Sequence, residues 1–344
     1  MKTLLKLLLK TQHHQNHSGL AKTEKGMTLV ELLVGAIMAF LIITPMLGFV
    51  VDMLNTDRRE QVKSNTEQDL QAAVDFIAQD LSQAIYIYDN NAINVGTATT
   101  PAIKTQLPNN GNSNRIPILV FWKRQLMKKA IPIDPSTVKP KDCDNDKCND
   151  TYVLSLVAYY QFKDVDTTWC QPSGGLCPSR IARYEIRDGI KNYLTQAYYA
   201  DAETTAGQRK DIAFNPGFEF TQPTVNVTTG VKFPDPEVLV NYIDHSTANV
   251  PVPTGAQCKT LLGVIPPSAP ATFNENDLLI TDTSPNPTHS FYACVDTAKN
   301  IARVTIRGNS LRRLQANNAE FKTTSSAFFP TASVQVQGIG ALGK

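Results

Sequence analysis

The sequence predicts an α+β protein: a long N-terminal helix, membrane-embedded in its first half and amphipathic in its second, packed on an antiparallel β-sheet head with long loop insertions. Three observations carry this expectation. From Met27 to Val51 the chain is apolar except for Glu31 and is long enough to cross a bilayer. Beyond it Leu70, Val74, Ile77, Leu81 and Ile85 recur at helical spacing. Past residue 89, short apolar or alternating segments are separated by clusters of Pro, Asn and Gly, as strands are.

The first 26 residues precede this architecture. MKTLLKLLLK sets Lys2, Lys6 and Lys10 among leucines, and a polar stretch follows before the apolar run. A secretory leader would place its apolar core ahead of the cleavage site, whereas Gly26 lies on the N-terminal side of the run. Cleavage at Gly26 would therefore leave the membrane helix on the mature chain. Lys22 and Lys25 before the run, against Asp52, Asp57 and Glu60 among Arg58 and Arg59 after it, keep the N-terminus cytoplasmic and the bulk of the chain outside. Glu31 is the anomaly in the span. A charged group at mid-helix costs about 2.5 to 3.5 kcal/mol on insertion scales, so an intramembrane carboxylate reads as functional.

The helical pattern predicts continuation to about Tyr86, with Glu67, Asp69, Asp75 and Asp80 on the outer side and a stop at Asp89-Asn90-Asn91. Strands are expected at Ile116–Trp122, Tyr152–Phe162, Ile181–Ile186, Leu278–Thr281, Phe291–Val295 and Ala302–Arg307. In Arg303-Val304-Thr305-Ile306-Arg307 polar and apolar residues alternate strictly, as in a strand with one wet face. Pro-rich segments at about Pro216–Pro270 and Thr281–Thr288 read as loops or small subdomains outside the core. The organisation is thus 1–26 leader, 27–51 membrane helix, 52–88 amphipathic helix and 89–344 β-rich head.

Composition bounds the function. At 344 residues, 42% hydrophobic and 19% charged, the chain is a folded protein of one large or two ordinary domains. Thirty-three basic against 31 acidic residues, net +2, argue against a nucleic-acid partner. Lys123, Arg124, Lys128 and Lys129 are the local basic group, read as a solvated strand-end loop. The six cysteines, Cys143, Cys148, Cys170, Cys177, Cys258 and Cys294, read as disulfides of an oxidising compartment. Fifteen pairings are open to six cysteines. The nearest-neighbour set is preferred because each bond closes a short local loop.

Gly26-Met27-Thr28-Leu29-Val30-Glu31-Leu32-Leu33 resembles the prepilin peptidase motif of type IV pilins and type II secretion pseudopilins, with Met27 where the family usually has Phe. The resemblance implies that a membrane prepilin peptidase cuts after Gly26 and methylates the Met27 amine, and that Glu31 neutralises the amine of a neighbouring subunit during assembly. It also implies a type IV pilin-like fold. Toward the C-terminus, Arg303-Val304-Thr305-Ile306-Arg307-Gly308-Asn309-Ser310-Leu311-Arg312-Arg313 and Phe329-Pro330-Thr331-Ala332-Ser333-Val334-Gln335-Val336 resemble the larger minor pseudopilins. Among these the chain is most similar to the cyanobacterial hormogonium polysaccharide secretion pseudopilins of the C type. That family implies a non-enzymatic filament subunit supporting polysaccharide export during gliding motility. The partners it implies are other major and minor pseudopilins, an inner-membrane assembly platform with a separate cytoplasmic ATPase, and the exported polysaccharide.

Other chemistry is weaker in the sequence. Gly338-Ile339-Gly340-Ala341-Leu342-Gly343-Lys344 satisfies phosphate-loop spacings, but no helix is expected after Lys344 and the Ser or Thr for magnesium is missing. Asp142, Asp144 and Asp146 alternate as in calcium loops, with Asp150 four residues further on, so calcium is the one cofactor considered. The glycine after Asp146 is absent, and Val153 stands where an EF-hand has its bidentate glutamate. His245 and His289 are the histidines outside the leader, and adjacent Asp244-His245-Ser246 lacks the context of a triad, so no catalytic residue is assigned. The alternatives are an anchored periplasmic carbohydrate-binding or hydrolytic protein that borrows the export route, or an adhesive or DNA-uptake minor pilin.

Overall fold

Thr28 caps the first helix, α1 (Leu29–Ser82): its hydroxyl accepts from the Glu31 amide at 3.3 Å, and its carbonyl takes the Glu31 and Leu32 amides at 3.0 and 3.1 Å. The computed structural model describes residues 28–96, 101–108, 112–144, 146–215, 232–265 and 273–340. Gly26 and Met27 lie outside them, as does most of the Gly338–Lys344 tail. The chain divides between Asp57 and Arg58 into two units.

In the first unit the described chain is the apolar part of α1, long and apolar enough to cross a membrane. Its large side chains are uncovered, Phe40 and Phe49 being 71% and 70% exposed, an apolar surface of the kind that marks a membrane or protein contact. Its hydroxyls are satisfied within the helix, Thr44 donating to the Phe40 carbonyl at 2.8 Å and Thr56 to that of Asp52 at 2.9 Å. Pro45, inside the helix, removes one amide donor from the ladder.

The second unit begins with the rest of α1 and contains two antiparallel sheets. One has the order β1 (Ala84–Ile87), β2 (Arg115–Pro132), β3 (Cys148–Phe162), β4 (Ser179–Arg187) and β5 (Glu237–Ile243). A short helix, α2 (Gly255–Leu262), precedes the second sheet, whose order is β6 (Leu279–Ile280), β7 (Phe291–Asp296), β8 (Ile301–Arg307) and β9 (Thr331–Gln337). A helical turn, α3 (Leu311–Leu314), lies between β8 and β9. An isolated bridge from Ile243 to Gly308 joins the sheets. Leu70, Val74, Ile77 and Leu81 of α1 share one apolar core with Phe121 and Trp122 of β2, Tyr159 of β3 and Ile306 of β8. Burying a single such side chain contributes roughly 1.5–3 kcal/mol, so this shared core is the main tie between helix and sheets.

Several expectations are corrected. The helix ends at Ser82, and Ala84–Ile87 is strand β1, because Ala84, Tyr86 and Ile87 pair with β2, the register shifting at Ile85, rather than continue the helical stripe. The basic group of residues 123–129 is not a loop but lies within β2, whose ladder with β3 continues to Pro132 through a register shift. The 216–270 segment is not wholly outside the core: it supplies β5, with Val240 and Ile243 buried, and α2, capped by Thr254 and ended by left-handed Gly263. Asp80, assigned to the wet face of α1, is buried.

Candidate functional site

Glu31 occupies the first turn of α1, where a carboxylate complements the positive end of the helix dipole. Around it Val30, Leu32 and Leu33 are 67%, 61% and 55% exposed, so the carboxylate sits on an uncovered apolar surface. Among the described residues no cation pairs with it. Its partner in the implied mechanism is the Met27 amine of a neighbouring subunit, and Met27 lies outside the described residues.

The second unit carries its charges differently. Beneath α1, Asp80 accepts from Lys123 Nζ at 2.9 Å, Arg183 Nε at 2.8 Å and the Tyr159 hydroxyl at 2.7 Å. Glu185 closes the cluster at 3.3 Å from Lys123 and 2.8 Å from Arg183. Burial by itself would raise the Asp80 and Glu185 carboxyls, but the cations hold both below their ordinary range. Burial and the neighbouring Asp80 carboxylate push the Tyr159 phenol up. Every member is engaged by another protein group, so the cluster fastens α1 to β2, β3 and β4 rather than leaving a base or nucleophile free.

The same logic explains two further buried carboxylates, Asp282 and Asp244. Asp282 accepts from Lys163 at 2.8 Å and from the Thr288 amide at 3.0 Å, which pins the 281–288 loop onto the end of β3. Asp244 takes Arg307 at 2.8 Å and the Ser246 hydroxyl at 2.6 Å. The Asp244 carboxylate of the Asp244-His245-Ser246 group is thus engaged by Arg307 and Ser246; burial depresses the His245 imidazole, and Asp244 opposes that shift.

The cysteines form Cys143–Cys148, Cys170–Cys177 and Cys258–Cys294, with Cα separations of 5.5, 4.9 and 5.2 Å. In the first loop the acidic residues face different partners. Asp144 pairs with Lys147 at 2.9 Å, and Asp150 accepts from the Lys129 amide at 2.7 Å. Among the described residues no group of three or more His, Cys, Asp or Glu gathers as a metal site, Asp142 and Asp146 included.

Sequence patterning missed the buried cluster because Asp80, Lys123, Arg183 and Glu185 are far apart in the chain. The available signal was weak: Asp80 falls between Ile77 and Leu81, on the flank of the apolar stripe. No family model, curated protein or solved structure matches this chain.

Proposed function

We propose that this chain is a minor pseudopilin, a subunit of a type IV pilus-like or type II secretion-like filament, processed after Gly26 and held in the membrane through residues 27–51. The observation that carries the reading is Glu31, a lone carboxylate in the first turn of an uncovered apolar helix. An unpaired charge in that setting is expensive, and an amine arriving from a neighbouring subunit removes most of the cost while fixing axial register. The disulfides and the lysine bias before the span fit an outward-facing second unit. The resemblance assigns it to polysaccharide export and gliding motility, and the size of the second unit favours a filament tip over a repeating shaft. Assembly energy comes from a separate cytoplasmic ATPase.

The test is mass spectrometry of the N-terminus in cells with and without the prepilin peptidase, combined with filament incorporation of Glu31→Ala. A methylated Met27 that depends on the peptidase, with incorporation lost in Glu31→Ala, is the expected result. An intact leader in both strains overturns the assignment. Normal incorporation of Glu31→Ala overturns the role of the carboxylate.

A further inference from the structure

The second unit contains a groove of about 650 Å³ between the Asp69–Phe76 face of α1, the Thr168–Gln171 loop and the outer strand β5. Its volume lies within the roughly 300–1,000 Å³ of ordinary ligand clefts. Phe76, 41% exposed, and half-buried Trp169 supply aromatic surface, while exposed Gln171 supplies a carboxamide.

The walls are built rather than incidental. Arg312, fully buried, donates from Nε to the Leu176 carbonyl at 2.8 Å, and from Nη2 to the carbonyls of Pro172 and Gly174 at 2.8 and 2.9 Å. One guanidinium thus holds the Cys170–Cys177 loop that follows Trp169. Asn241 Nδ2 donates to the Trp169 carbonyl at 2.9 Å and ties the other side of that residue to β5. Tyr242 has a φ of +58°, an uncommon conformation for a bulky side chain, and its carbonyl is held by the Asn309 amide at 2.7 Å. The Arg313 guanidinium lies 4.4 Å from the centre of the Tyr242 ring and also binds Asp69.

The chemistry of these walls selects among ligands. Asp69 and Arg313 neutralise each other, so the groove offers no net charge to attract a phosphate or an ion. A neutral pyranose meets what remains: its C–H face covers an aromatic ring, and its hydroxyls, donors and acceptors at once, match the Gln171 carboxamide and the Asp69 carboxylate. A wall already fixed by a disulfide and a buried arginine loses little entropy on binding. We propose that this groove is a binding site for a neutral saccharide segment, with Trp169 and Phe76 as stacking surfaces and Gln171 and Asp69 as hydroxyl partners. The site requires no assembled filament.

The experiment uses the full chain in detergent micelles and titrates cellohexaose, mannohexaose and maltohexaose. Binding is followed by saturation-transfer NMR and by tryptophan fluorescence, in which Trp122 is buried and Trp169 half-buried. Saturable binding of at least one probe is expected. It should weaken at least about tenfold, the equivalent of about 1.4 kcal/mol, in Trp169→Ala and in Ala72→Trp, which fills the groove from the solvent side of α1. Near-ultraviolet circular dichroism checks that both variants are folded. Absence of binding by all three probes at about 10 mM, where even millimolar sites are mostly filled, overturns the proposal. So does binding that both folded variants retain. Loss of filament incorporation in Ala72→Trp without any saccharide binding also overturns it, and makes the groove a subunit contact.

Discussion

Lys123 Nζ lies 2.9 Å from Asp80 Oδ1, with side chains only 7% and 9% exposed. Arg183 approaches the other carboxylate oxygen at 2.8 Å, so one aspartate from α1 balances cations from two strands. Removing it leaves both cations buried, with Glu185 and, for Arg183 alone, the exposed Glu237 as counter-charges. Asp80→Ala is therefore expected to cost about 3–5 kcal/mol, the usual range for breaking a buried pair from one side. Lys123→Ala in the same chain should cost less than the sum of the single changes, because the second substitution removes a charge that the first stranded. Urea denaturation of the four proteins in the cycle measures both quantities.

The same cluster sets a pH dependence. In the folded chain the Asp80 and Glu185 carboxyls titrate below their ordinary range, so the unfolded chain binds more protons in the acid region. Their stabilisation is complete above about pH 4–5, where unfolded carboxyls are ionised, and is lost as the pH falls through the depressed folded values. Melting temperature should consequently decline on acidification below that range. Asp80→Asn should melt lower at neutral pH and show a shallower decline. An unchanged slope in Asp80→Asn would assign the acid sensitivity to other carboxylates.

What the sequence displayed well was the helical stripe Leu70, Val74, Ile77, Leu81, which packs in the core, and a strand over Ala302–Arg307, but the wet face expected from the alternation of Arg303–Arg307 is not there, because Thr305 and Arg307 are buried and Arg307 turns in to Asp244. It displayed poorly whatever depends on a distant partner. Asp80 looked solvated because a carboxylate beside an apolar stripe is usually so, and only Lys123 and Arg183, brought over by β2 and β4, make its burial tolerable. Lys123 was obscured in the same way, its charge suggesting a loop although its neighbours Phe121 and Trp122 are core. Strand β5 was hidden by the prolines flanking it, Pro234 and Pro236, which an outer strand accommodates. Glu31 was legible because its environment is local: a charge in an apolar run needs no tertiary partner to be conspicuous.

The disulfides are expected to differ in value. Cys258–Cys294 spans 36 residues and Cys143–Cys148 spans 5. On loop-closure entropy alone the first stabilises by about 4 kcal/mol and the second by about 2 kcal/mol. Cys258–Cys294 also packs among Leu262 and Leu278, whereas Cys143–Cys148 closes a loop with an exposed ion pair. Replacing Cys258 and Cys294 together by serine should therefore lower the urea midpoint more than the same exchange at Cys143 and Cys148. Equal losses would mean that the unfolded chain is already restricted around the longer loop.

Gly308, where β8 leaves the second sheet and bridges to Ile243, stands against α1. A Cβ placed there would lie 2.9 Å from both Leu70 Cδ1 and Thr66 Cγ2. Both side chains are 1% exposed and have little room to retreat, and the Thr66 hydroxyl is held by the Val62 carbonyl at 2.8 Å. The backbone cannot shift freely either, since the Gly308 amide donates to the Pro330 carbonyl at 2.9 Å. Gly308→Ala is thus expected to destabilise by about 1–3 kcal/mol through overpacking, although alanine is ordinarily the milder residue. Leu70→Val creates space at the point of collision and carries its own cavity cost. In combination the two should cost less than their sum, measured by urea denaturation. Strict additivity would mean that α1 moves as a body rather than yielding at Leu70.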